Sequence, residues 1–172
     1  MSIDRYVTMP DLSDRPLQMT LERECAIPPL LVYQAWTVQL DRWFAQPGSV
    51  LMRQRVNEPF FFETLHENIR QPHYGRFLRL EPDRLIELAW VTGPLGTQGA
   101  ETVVTIELMP TAAGTRLRLT HAGFVDEASR NRHSEAWPRV LDLLENIFAE
   151  GVTKRKKSVK RHKEQHRSNF PM

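Results

Sequence analysis

Residues 115–122 set Leu117, Leu119 and His121 on one side of an extended chain and Arg116, Arg118 and Thr120 on the other. Alternation of this kind lets a strand bury one face and wet the other. The pattern recurs in residues 84–91, with Ile86, Leu88 and Trp90 in phase, and in 101–109, with Val104, Ile106 and Leu108. Residues 17–27 alternate in part, placing Leu17, Met19, Leu21, Arg23 and Cys25 together. Residues 60–66 and 74–80 read as two further strands, and 49–55 as a weaker one. Glu81-Pro82-Asp83, the glycine-rich stretch 93–99 and residues 110–114 carry turn chemistry between them. The expected core is an antiparallel sheet with one dry face.

One element can cover that face. Trp137, Leu141, Leu144 and Phe148 recur at helical spacing, with Val140 and Ile147 beside them. Pro138 falls inside this pattern, so the helix is expected either to restart near Ser134 or to bend at Trp137-Pro138. Gly151 is expected to end it. Pro28-Pro29 stops the first strand and opens a short helix over 30–37, and a second short helix fits 40–44. The fold class expected is α+β, an antiparallel sheet gripping a C-terminal helix. With 172 residues the chain holds one domain and a tail. The single Cys25 excludes an intrachain disulfide and a thiolate metal cluster. No apolar run is long enough for a membrane span, and the first 16 residues lack an apolar signal core, so a cytoplasmic location is expected.

Charge divides the chain unevenly. Residues 1–150 carry 15 Arg, no Lys and 20 acidic residues, a net −5; residues 151–172 carry 3 Arg, 5 Lys and 1 Glu, a net +7. We therefore divide the chain into an N-terminal extension (1–16), a folded body (17–150) and a basic tail (151–172). Repulsion among Lys154, Arg155, Lys156, Lys157, Lys160 and Arg161 favours a solvated, frayed tail; the same residues could instead hold nucleic acid or another anionic surface. Phe170 is the tail's one aromatic, so base stacking is not expected there.

Several segments resemble the Hsp-ninety ATPase activator homologue family, a branch of the START-like, helix-grip superfamily that also holds polyketide cyclases and the birch-pollen allergen fold. Ala35-Trp36-Thr37 with Leu40-Asp41-Arg42-Trp43-Phe44 resembles the family's opening "AWT…LxxWF". Residues 75–90 resemble its "GxVLEVxPPxRLxxTW", and the match continues through 101–106. Residues 114–124 resemble "GTRLTLTHSGF", and residues 136–141 resemble "GWxxxL" with Ala136 at the glycine. The family's "DLRxGGxxxF" segment is poorly kept in residues 52–62. The match spans about residues 17–150 in the family's order. It implies a curved sheet wrapped around the last helix, with two short helices after the first strand and an apolar cavity between sheet and helix.

Strand and helix phase then nominate the lining: Trp36, Phe62, Tyr74, Leu88, Trp90, Val104, Ile106, Leu119, His121, Trp137, Leu141 and Leu144. The leading expectation is binding of an apolar or amphipathic small molecule. One alternative is a cyclase or hydratase in which His121 moves a proton; another is a protein-binding module, with a chaperone as one such partner. A lone histidine on an apolar face also fits a plain structural role, hydrogen-bonded to its surroundings. Nucleophile elbows, phosphate loops, dinucleotide loops and H-E-x-x-H zinc motifs are absent from the sequence, so neither a metal nor a cofactor is expected. His66 and His73, with Glu63 and Glu67, are read as solvent-facing strand-end residues rather than a metal cluster.

Overall fold

The computed structural model describes the backbone of residues 7–167 and the side chains of residues 7–149 and 157–161. Strand β1 (Leu17–Cys25) leads into α1 (Pro29–Thr37) and a 3-10 turn at Leu40–Arg42. Strands β2 (Pro59–His66), β3 (Ile69–Glu81), β4 (Leu85–Thr92), β5 (Thr102–Pro110) and β6 (Thr115–Phe124) follow, and α2 (Glu127–Arg167) completes the order. The six strands form one antiparallel sheet in the order β1-β6-β5-β4-β3-β2. The sheet wraps the long helix, which is the helix-grip arrangement. Among the described residues no helix is long and apolar enough to cross a membrane.

The dry face is the one the alternation predicts. Ile86, Leu88, Val104, Ile106, Leu117 and Leu119 are buried in one core cluster with Val32, Ala35 and Trp36 of α1 and Leu141 and Leu144 of α2. Arg23 shares that face of β1, and its guanidinium meets Asp142 at 2.6 Å and Glu145 at 3.8 Å on α2. The outer face is covered in part as well. Residues 7–16 cross it, and Val7 and Leu12 pack on Leu78, Ala89 and Val103. Arg15 donates from Nη1 to the carbonyls of Glu101 and Gly123, each at 3.1 Å, and Arg76 donates to the Thr8 carbonyl. A register shift between Phe77 and Arg79 leaves Leu78 as the extra residue, in the outer cluster, and brings Leu80 back to the inner face opposite Ile86, three residues after the inward Phe77.

Four expectations are corrected. Residues 49–55 form no strand; Leu51 makes a single bridge to Phe61. Strand β3 begins at Ile69, because Glu67 and Asn68, with φ of 49° and 63°, make the tight turn of a β2–β3 hairpin. Helix α2 neither restarts near Ser134 nor ends at Gly151. It starts at Glu127, where the Asp126 carboxylate accepts from the Ser129 amide at 2.7 Å, and it runs through both Pro138 and Gly151 to Arg167. An interior glycine costs a helix only about 1 kcal/mol relative to alanine, and the lysines and arginines beyond it, with Glu164 and Gln165, are good helix formers. The boundary at 150/151 is thus crossed by continuous helix, and the tail expected to fray is helical in its described part.

Candidate functional site

Most residues nominated as cavity lining are buried in the main core cluster. Phe62, Leu88, Val104, Ile106, Leu119, Leu141 and Leu144 are fully buried in one core cluster. Trp36 sits edge-on to Trp43 at 5.0 Å and tilted to Trp137 at 5.9 Å, its indole N–H without a hydrogen-bond partner. Tyr74 does not face the interior. It is 51 % exposed and lies against Phe61 on the outer face, because the β2–β3 register gives that side to Phe61 and Tyr74 and the inner side to Phe62 and His73.

A cleft of about 570 Å³ opens at one end of this core. Strand β3 extends past β4, whose pairing with it begins at His73↔Thr92, so the hairpin tip stands clear as a wall carrying Thr64, Leu65, His66 and Gln71. Leu95 and Gly96 of the β4–β5 loop make a second wall, and Arg132, His133, Ala136, Trp137, Arg139 and Leu143 of α2 a third. The floor is aromatic. Phe44 lies 6.0 Å from Trp90 at 8°, and Trp137 lies 5.6 Å from Trp90 and 6.3 Å from Phe44. Trp90 and Trp137 are therefore the nominated residues that the cleft brings together.

The loop wall is fastened to the helix. Ser129 Oγ donates to the Gly96 carbonyl at 2.6 Å, Arg132 Nε to the Leu95 carbonyl at 3.0 Å, and Gln98 Nε2 to the Asp126 carboxylate at 2.9 Å. Within the loop the Thr92 and Thr97 amides each donate to the other's Oγ1 at 2.8 Å. Gly96 is required there, since a Cβ would come within 1.9 Å of Thr92 Oγ1.

Three histidines stand near the cleft in two different states. His121 is sealed behind Trp137, wholly buried. Thr102 Oγ1 donates to the Trp90 carbonyl at 2.6 Å, which spends its only hydrogen, so at 2.7 Å it accepts from His121 Nε2–H. The Trp137 indole N–H donates to His121 Nδ1 at 3.1 Å. Both ring nitrogens are thus engaged in one neutral tautomer. Burial, and then the neighbouring His133, push its pKa well below the ordinary histidine value. His121 is not among the residues lining the cleft and has no nitrogen left to exchange a proton with a substrate.

His73 and His133 do line the cleft. His73 Nδ1–H donates to the Gln71 carbonyl at 2.9 Å, and His133 Nδ1–H to the Ser129 carbonyl at 2.8 Å, which leaves Nε2 of each as the acceptor. His73 stacks on Phe62 at 4.6 Å and sits edge-on to Trp90 at 5.0 Å; burial drives its pKa down to about 4. Burial also lowers His133. The expectation that His73 faces solvent is overturned, whereas His66 is exposed at the hairpin tip. The signals that point to His73 are Asn68 in a tight turn and strict alternation back from Phe77. Those for His133 are the Asp126-x-x-Ser129 cap, which starts α2 early enough to carry it. Among the described residues no group of three His, Cys, Asp or Glu side chains could hold a metal ion. Cys25 is buried, and burial with nearby Glu145 raises its thiol to about 12, which makes it inert.

Comparison with known proteins agrees with this architecture. Residues 26–149 match the family model described as activator of Hsp90 ATPase homolog 1-like protein. Among solved structures, protein CV1439 from Chromobacterium violaceum is 25% identical over 77% of this chain and 98% of its own, with a TM-score of 0.65. Protein MLL2253 from Mesorhizobium loti is 21% identical over 78% of this chain and 98% of its own, with a TM-score of 0.64. The AHSA1 (SPO3351) protein from Silicibacter pomeroyi is 23% identical over 78% and 99%, with a TM-score of 0.63. No curated protein matches the chain.

Proposed function

The chain belongs to the activator of Hsp90 ATPase homolog 1-like family of START-like proteins, and on that premise we propose that it binds a flat, amphipathic small molecule in the cleft at the end of its core. What carries the reading is the pairing of an aromatic floor with two imidazoles whose Nδ1–H groups are tied to main-chain carbonyls. Half-buried Phe44, with the small exposed parts of Trp90 and Trp137, gives an apolar, planar body an aromatic surface to lie against. His73 and His133, neutral near pH 7, offer Nε2 as acceptors, so the fitting ligand donates hydrogen bonds, as a phenol does. Leu65, Leu95 and Leu143 at the mouth add apolar contact, and the volume suits a ligand of drug size. A proton-transferring cyclase is not favoured, because His121 is saturated by Thr102 and Trp137.

Tryptophan fluorescence titration with naphthalene and 2-naphthol tests the reading, since Trp90 and Trp137 report from the floor. A hydroxyl that finds an acceptor adds about 1 kcal/mol, so 2-naphthol should bind roughly five- to ten-fold tighter. Ala136→Trp fills the cleft from an exposed helix position and should abolish binding while leaving Tm within a few degrees. Saturation by neither compound, or unchanged affinity in Ala136→Trp, would refute the proposal.

A further inference from the structure

All five lysines lie beyond residue 153, in a segment of net +7 that follows a body of net −5. We infer that the C-terminal extension of α2 is an arm that binds the phosphate backbone of duplex nucleic acid without reading its sequence. The extension is no loose tail. It is the same helix whose Trp137, Leu141, Leu144 and Phe148 are locked in the core, and it continues unbroken to Arg167. At about 1.5 Å per residue, the stretch past Ala149 reaches roughly 25 Å, and a helix about 10–12 Å across fits the major groove of B-form DNA.

Charge is disposed for that use. Lys157, Lys160 and Arg161 stand at i, i+3 and i+4, so one face of the helix carries three exposed cations. In the sequence Lys154 precedes them by one turn and Lys163 follows Lys160 by three. Lysine predominates, and its flexible ammonium pairs with phosphate as a point charge, without demanding the fixed geometry of a bidentate arginine contact. A membrane surface is the poorer fit. An interfacial helix needs an apolar face, and Val159 is the one apolar residue in the described side chains of this stretch, 157–161. The acidic body repels a polyanion, which confines contact to the arm.

Fluorescence anisotropy with the full chain and a labelled duplex of about 20 base pairs, over roughly 25–200 mM NaCl, reads the interaction directly. Binding should fall with salt on a log–log slope of about −3 or steeper. Lys157→Gln/Lys160→Gln/Arg161→Gln removes up to three phosphate contacts. It should flatten the slope by up to about 2.7 and weaken binding at the low-salt end at least ten-fold. Glutamine keeps helix propensity, so far-UV circular dichroism and naphthol affinity should match the parent. Three results would overturn the inference: no duplex binding at the lowest salt, a slope that the triple variant leaves unchanged, or binding to phosphatidylserine vesicles with none to the duplex. The naphthol titration reads the cleft alone, so the two proposals fail independently.

Discussion

Acid should weaken this fold through His73 more than through any exposed group. An unfolded chain protonates histidine near 6.5, whereas burial among Phe62, Trp90 and Phe44 holds the His73 ring neutral down to about 4. The folded value is the depressed one, so the stabilisation is complete above pH 6.5 and is lost as pH falls through the window from 6.5 to about 4. The gap between those values corresponds to roughly 3 kcal/mol, a large share of the 5–15 kcal/mol typical of a domain. Below about 4 the folded ring also takes a proton and the loss levels off. Urea unfolding followed by tryptophan fluorescence from pH 7.5 to 4.5, with His73→Phe beside the parent, isolates the contribution. The variant keeps the stack on Phe62 and cannot titrate. Parent stability should drop by about 2–3 kcal/mol more than the variant's across that range. His121 and His133 are lowered too, and they steepen both curves alike. Parallel curves for parent and variant would show that His73 is hydrated in solution and that the stacked, buried geometry is wrong.

Further tests address the parts that hold the cleft. Thr102→Val is nearly isosteric but strips the acceptor from His121 Nε2–H and the donor from the Trp90 carbonyl; it should cost about 2–4 kcal/mol in urea unfolding, and a loss under 0.5 would refute the tautomer assigned to His121. Gly96→Ala drives a methyl into Thr92 Oγ1, so the loop wall must shift; 2-naphthol affinity should fall several-fold, with Tm lowered by a few degrees, and unchanged affinity would remove that wall from the site. Leu12→Ala uncovers Leu78, Ala89 and Val103 on the far face of the sheet; it should cost about 1–2 kcal/mol and leave cleft affinity untouched.

The sheet is legible because the inward residues of β4, β5 and β6 recur with period two: Ile86, Leu88 and Trp90, then Val104 and Ile106, then Leu117, Leu119 and His121, all buried. Parity failed where local geometry breaks the count. The register shift after Phe77 returns Leu80, not Arg79, to the inner face, and the turn at Glu67-Asn68 decides the phase of His73 from outside the strand. Tyr74 was misplaced for the same reason. Helix ends were harder still, since a cap such as Asp126 competes with a later proline, and an interior glycine reads like a stop. Charge alternation said nothing of the outer face, where the strap at Val7 and Leu12 buries Ala89 and Val103 from a distance of many residues.

Histidine identity alone could not have located the site; hydrogen-bond saturation does. His121 lies in the segment closest to the family motif and on the dry face, yet Thr102 and Trp137 occupy both its nitrogens, and it acts as a buried strut joining β5, β6 and α2. His73 and His133 carry the same ring with one nitrogen tethered to the backbone and the other left over. Two sets of contacts tie α2 to its surroundings: Arg23 links it to β1 through Asp142, and Ser129 with Arg132 links its start to the β4–β5 loop. Between those contacts the helix faces a hairpin that projects beyond β4. The aromatic residues Phe44, Trp90 and Trp137 and the two tethered imidazoles thus line one cleft, beside a core cluster of buried aliphatic and aromatic side chains.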